Sequence, residues 1–153
     1  METDKLYLWA TSRGALKEYC TSEMRTKLAA KGADPDQVED IVSRLQSEKY
    51  VDEARYAEAF AADKFRFDHW GRIKISQALR LKGISPALVQ DALRSAIEED
   101  EYRLSLLDFI QAKRRTTKAA DPHTLRQKVA RSAISRGFEP HLVFAALSMD
   151  EEC

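Results

Sequence analysis

The stretch Lys64-Phe65-Arg66-Phe67-Asp68-His69-Trp70 alternates cations with aromatic rings. Cations hold phosphate and aromatic faces stack on bases, so this spacing can bind single-stranded nucleic acid. On a helix, Phe60, Phe67 and Trp70 fall largely on one face, and burial between helical units is the competing expectation. Further bases follow: Arg72, Lys74, Arg80 and Lys82, then Lys113, Arg114 and Arg115, then Arg126, Lys128 and Arg131. With Lys64 and Arg66 they form the candidate contact set for acidic protein surfaces or a DNA backbone, although solvated helix faces carry such bases too.

Catalytic chemistry has no comparable set. His69, His123 and His141 are far apart and no cysteine pair stands beside them, so the ligand spacing of a zinc site is missing and no metal is expected. There is no phosphate-cradling Gly-rich loop and no dinucleotide fingerprint, and no cofactor is expected. Cys20, in a helical run beside Tyr19, reads as a packed side chain rather than a nucleophile. Asp52 reads as a helix cap rather than a general base. These residues predict a protein that is not an enzyme.

Composition narrows the class. The chain has 153 residues, 44% of them apolar, which is enough for a core. Lys and Arg number 25, Asp and Glu number 25, and the formal net charge is zero. That balance excludes a uniformly basic nucleic-acid coat. No apolar stretch approaches the ~20 residues of a membrane span. The start, Met1-Glu2-Thr3-Asp4-Lys5, lacks the basic and then apolar pattern of a secretory signal. Cys20 and Cys153 make no disulfide framework. A reducing, cytoplasmic location is expected, with no membrane partner.

The elements that must position the bases are marked by scarce punctuation. Gly32, Gly83 and Gly137 each follow a basic residue, and each precedes a proline by three: Pro35, Pro86 and Pro140. Apolar residues keep the same frame: Met24, Ile75 and Val129; Leu28, Leu79 and Ala133; Val38, Val89 and Val143; Val42, Leu93 and Leu147. A glycine closing an apolar-periodic run is a helix C′ residue, and a proline three residues on suits the first turn of the next helix. Asp34 and Ser85 are good caps for those second helices, and Asp34 with Gln37 resembles a capping box, whereas Glu139 is a poorer cap. Another helical run precedes each pair, over 5–19, 52–68 and 101–117. The last of these carries Leu104, Leu107 and Ile110. No segment alternates with period two, so no sheet is expected. The frame predicts an all-α fold of three tandem three-helix repeats, 1–51, 52–100 and 101–153, stacked as an elongated, curved array.

The zero net charge hides stripes. Residues 34–63 hold three bases and nine acids, 64–82 six bases and one acid, 83–102 one base and five acids, 103–136 nine bases and two acids, and 137–153 four acids with no base. The helix before each turn glycine is basic and the helix after it is acidic or neutral. Either adjacent helices neutralise one another, or the array has a basic face suited to a partner of mixed sign. Reading of a DNA groove by the second helices is disfavoured, because Asp36, Glu39 and Asp40 would face phosphate.

One run carries more than pattern. Lys49-Tyr50-Val51-Asp52-Glu53-Ala54-Arg55-Tyr56-Ala57-Glu58-Ala59-Phe60 is followed by Asp63-Lys64, by Trp70-Gly71-Arg72-Ile73-Lys74-Ile75 and by Leu79-Arg80-Leu81-Lys82-Gly83-Ile84. It resembles the RecX family, bacterial regulators of the RecA recombinase, with weaker similarity from about Ala15 to Leu147. The Tyr19-Cys20 and Trp70-Gly71 pairs resemble the Bacteroidetes-type variant. Lys49 stands where many members have Gly, Lys17 and Cys20 where Arg and Ser are common, and the third repeat keeps the frame loosely. The resemblance implies three tandem three-helix repeats. It also implies a non-enzymatic protein that binds RecA nucleoprotein filaments and lowers their ATPase, strand-exchange and coprotease activities in DNA repair, recombination and the SOS response. A monomer is expected, with single- or double-stranded DNA as a further possible contact. Non-specific binding of single strands is the alternative reading. The motif residues Tyr50, Asp52, Tyr56, Phe60, Trp70 and Ile73 are assigned to structure and the twelve bases named above to the partner.

Overall fold

The computed structural model describes residues 2–16, 19–48 and 52–152, and side chains within 2–12, 19–48 and 52–151. Lys17, Lys49, Tyr50 and Cys153, to which the sequence reading gave roles, lie outside the described residues. The described chain is all helical: α1 (Thr3–Leu16), α2 (Thr21–Ala30), α3 (Pro35–Ser47), α4 (Glu53–Arg66), α5 (Arg72–Leu81), α6 (Pro86–Ala96), α7 (Glu99–Thr116), α8 (Pro122–Ser135) and α9 (Pro140–Glu152). It divides into two compact units, Met1–Ala59 with Leu79–Ala92, and Phe60–Ala78 with Leu93–Cys153. The divisions run within α4, α5 and α6.

The three glycine turns are built alike. Gly32, Gly83 and Gly137 all have positive φ, at 96°, 86° and 103°. In each turn the amide after the glycine donates back into the helix: Ala33 to Leu28, Ile84 to Leu79, Phe138 to Ala133, at 3.1–3.2 Å. This is the six-to-one bond that satisfies a helix-end carbonyl. Pro35, Pro86 and Pro140 open α3, α6 and α9. The Asp34 carboxylate accepts from the Gln37 N–H at 2.8 Å, the Ser85 hydroxyl accepts from the Leu88 N–H at 3.3 Å, and Asp52 accepts from the Arg55 N–H at 3.1 Å. Every residue of the four apolar columns set by the glycines is buried. Full burial of such a side chain contributes about 1.5–3 kcal/mol.

In the first unit α1, α2 and α3 close over Leu6, Ala10, Met24, Leu28, Ile41 and Leu45. Charges here neutralise locally: Arg25 Nε lies 2.9 Å from Glu39 Oε1 across the α2–α3 turn. Cys20 is fully buried at the N-terminus of α2, and burial pushes its thiol up, away from nucleophilic use. Beside it, burial alone would raise the Glu23 carboxyl. Hydrogen bonds from Tyr56 and the Cys20 amide, with Lys82 at 3.6 Å, outweigh burial and hold it below its ordinary value of 4.5. Burial and the Glu23 carboxylate push the Tyr56 phenol up, so it stays a donor. A depressed folded pKa contributes stability above the unfolded value and loses it as pH falls through the folded one. Glu23→Gln is therefore expected to flatten the acid limb of the unfolding curve below about pH 4.5. Urea midpoints at neutral and acid pH check this, and parallel curves for both proteins would contradict it.

In the second unit α7, α8 and α9 pack on one another. Phe65, Tyr102, Phe138 and Phe109 form a chain of rings with centroid spacings of 5.9, 5.4 and 6.0 Å. The helical reading puts Phe67 on a buried face with Phe60 and Trp70, but it is 76% exposed. Helix α4 ends at Arg66, so Phe67 leaves the helical face, and Phe65 is the buried ring instead. Phe60 and Trp70 do pair, edge to face at 6.4 Å. Leu104 groups by pattern with the inward residues of its helix and is 60% exposed. The buried face of α7 is Tyr102, Leu106 and Ile110, and Leu104 stands about 200° from Tyr102 around the axis.

Candidate polyanion-binding groove

The candidate bases separate into three groups. Five are spent inside the fold. Lys64 lies 3.0 Å from Asp68, Lys82 3.6 Å from Glu23, and Arg126 3.4 Å from Glu151. Arg114 Nε lies 3.0 Å from Asp150. Arg72 is the most committed: its guanidinium stacks 3.9 Å from the Tyr102 ring centroid and pairs with Glu139 at 2.9 Å and with Glu99. The Tyr102 hydroxyl accepts from the Arg72 N–H at 2.9 Å and donates to Glu139. Burial, with Glu139 next, pushes that phenol up, so it remains protonated. Glu139 thus binds Arg72 and Tyr102 by its side chain, which explains the poor cap read at the head of α9.

Arg66, Arg80 and Arg115 are exposed. The remaining four, Lys74, Lys113, Lys128 and Arg131, converge. With Arg136, Phe109, Thr117, Ser132 and Ser135 they line a groove of about 590 Å³ in the second unit, its walls supplied by α5, α7 and α8. The lining holds five bases, three hydroxyls and no carboxylate. Among the described residues none of the five bases pairs with an acid. Two are steered by backbone carbonyls instead: Lys128 donates to Lys118 O at 2.9 Å and Arg136 to Asp68 O at 2.9 Å. A carbonyl orients a cation without cancelling its charge, so the groove keeps a concentrated positive potential. Phe109 forms its floor, with Arg136 5.2 Å and Lys113 5.8 Å from the ring centroid.

A backbone clasp joins two of the segments that line this groove. The Gly71 N–H donates to Arg136 O and the Ile73 N–H to Gly137 O, both at 3.0 Å. A Cβ on Gly71 would lie 2.2 Å from the Gly137 carbonyl carbon, and one on Gly137 would lie 2.4 Å from Lys74 Cβ. Only a pair of glycines permits that approach, which holds Lys74 close to the turn that carries Arg136.

Sequence reasoning found four of the five bases. It missed Arg136 as a site residue, and also Phe109 and the hydroxyls. The signal for Arg136 was present: it is the basic residue just before a turn glycine, the position whose side chain the turn fixes.

Residues 52–93 match the family model described as RecX, second three-helix domain. The regulatory protein RecX of Clostridium perfringens (strain 13 / Type A) is 32% identical over 128 residues, covering 80% of this chain and 58% of its own length. The regulatory protein RecX of Chromohalobacter salexigens is 31% identical over 125 residues, covering 82% of this chain and 79% of its own. The crystal structure of RecX from Lactobacillus salivarius matches with a TM-score of 0.87 over 99% of this chain and 97% of that one, at 16% identity. At that identity the likeness is one of fold. The chain therefore spans less than two thirds of the Clostridium relative and more than two thirds of the Chromohalobacter one.

Proposed function

Because this chain belongs to the RecX family, we propose that it is a non-enzymatic regulator that binds RecA filaments on single-stranded DNA and lowers their ATPase, strand-exchange and coprotease activities. It acts in DNA repair, recombination and the SOS response, as a monomer in the bacterial cytoplasm. The observation that carries the reading beyond family is the groove, five bases on three helices with no carboxylate in the lining. Its ligand is the polyanionic surface that a nucleoprotein filament offers. No helix among the described residues is long and apolar enough to cross a membrane.

The division into three repeats, 1–51, 52–100 and 101–153, belongs to this proposal. Successive repeats contact successive recombinase protomers, and linkage converts weak contacts into avid binding. Regulation then needs no reacting group on this chain: occupancy of the filament blocks the motion or DNA access that recombination requires. The test is a titration of RecA's DNA-dependent ATPase with this protein. A fall in rate that saturates as the protein approaches filament stoichiometry is expected, and an unchanged rate would overturn the inhibitory assignment.

A further inference from the structure

A second cleft, of about 530 Å³, adjoins the groove. The two share Phe109, and both lie in the second unit. The chemistry of this cleft is different. Its floor is apolar and aromatic, from Phe65, Leu104 and Phe109, and its rim mixes signs: Arg66 and His69 against Glu101 and Asp108. Leu104 is 60% exposed on it, an apolar surface that the fold leaves in water. A volume of this size is ordinary for a ligand site.

Helix α7 aligns the two. Glu101, Ser105, Asp108 and Ala112 follow the spacing of one helical face into the cleft, and Phe109, Lys113 and Thr117 follow it into the groove. Phe109 and Lys113 are one turn apart, about 6 Å along the axis. A ring stacked at Phe109 therefore places an attached anion beside Lys113.

We propose that the cleft receives one unstacked base of single-stranded nucleic acid while the adjoining groove holds that strand's phosphates. The alternatives fit less well. An acidic peptide would set its carboxylates against Glu101 and Asp108. A basic peptide would meet five cations in the groove. A plain phosphate chain would leave the apolar floor uncovered. A base has a π-face for the half-buried Phe109, and its edge carries both donors and acceptors, matching a rim of Arg66 and His69 opposite Glu101 and Asp108. The cation-flanked, half-buried Phe109 is the kind of ring on which bases stack. A duplex keeps its bases paired and can use the groove alone, so the cleft confers preference for single strands. The bases and rings of residues 64–70 thus divide their work: Phe65, Arg66 and His69 line the cleft, and Phe67 does not.

This proposal rests on the groove reading above, and its test is run without recombinase so that the two can fail separately. The probe is a short oligothymidylate carrying one 2-aminopurine, compared with its duplex. Titration with this protein is expected to change the 2-aminopurine emission and to bind the single strand more tightly than the duplex. Leu104→Ser, outside the groove lining, is expected to weaken single-strand binding about tenfold while leaving duplex binding and its salt slope unchanged, and Phe109→Leu, which touches both cleft and groove, is expected to weaken single-strand binding by more than duplex binding. Leu104 is exposed, so its variant keeps the fold even if loss of the Phe109–Phe138 contact perturbs the other. Equal affinity for both forms with unaltered emission would overturn the base site and leave the groove as a phosphate or filament contact. No binding of either nucleic acid, with RecA inhibition intact, would also overturn it while sparing the regulatory reading.

Discussion

The combined change Lys113→Glu, Lys128→Glu and Arg131→Glu is expected to abolish inhibition of RecA at concentrations where the unaltered protein is saturating. It leaves two bases facing three new carboxylates in a lining that began with five bases and no acid. Solvent-accessible charges contribute modestly each, ~1 kcal/mol or less when simply removed. Reversal adds repulsion to the lost attraction, and three together weaken binding by roughly 3 kcal/mol, about a hundredfold in Kd. The three side chains have no acid partner among the described residues, so their loss leaves no carboxylate stranded. Arg114 is omitted for that reason, since its loss would deprive Asp150 of its partner at 3.0 Å. The control is Arg80→Glu with Arg115→Glu, exposed bases outside the groove lining. ATPase inhibition curves for the two variants check the claim. An equal loss per reversed charge in both would mean that overall charge, not the groove, does the binding.

Gly71→Ala is expected to destabilise the protein by about 3 kcal/mol or more, which lowers Tm by roughly 6–12 °C in a chain of this size. The added methyl would lie 2.2 Å from a backbone carbon that cannot swing aside as a side chain would. Yielding means breaking the paired bonds from Gly71 and Ile73 to the Arg136 and Gly137 carbonyls. Gly32→Ala is the informative contrast. Gly32 has φ of 96°, but a methyl group there would meet nothing within 4 Å, so only the left-handed strain of about 1–2 kcal/mol applies. Thermal unfolding of both separates steric approach from backbone conformation. The clasp also holds Lys74 near the turn that carries Arg136, so residual folded Gly71→Ala should inhibit RecA less well. Equal destabilisation by the two changes would contradict the role given to the clasp.

Much of the fold was legible because turn chemistry is local. Gly32, Gly83 and Gly137, with prolines three residues on, mark helix ends whose geometry depends on a few adjacent residues, and all three took the expected form. Burial in the columns keyed to those glycines was legible for the same reason. The errors lie where register depends on a neighbour's shape. Leu104 looked inward because it is apolar, but Tyr102 sets the buried face of α7 through its bonds to Arg72 and Glu139, partners thirty or more residues away. The candidate site was legible as a set of bases and not as a place. Arg72 and Lys74 are two residues apart and identical in charge, yet one is consumed by Glu99 and Glu139 and the other opens onto the groove. Nothing local distinguishes them, because the acids that decide the matter sit on α7 and before α9.

Binding to the recombinase filament is open to direct measurement by co-sedimentation. RecA assembled on single-stranded DNA is pelleted with this protein, alongside naked DNA at the same nucleotide concentration. Saturable recovery in the filament pellet is expected, and its loss in the triple charge-reversal variant. No recovery in the filament pellet, or recovery unchanged by charge reversal of the groove, would contradict it.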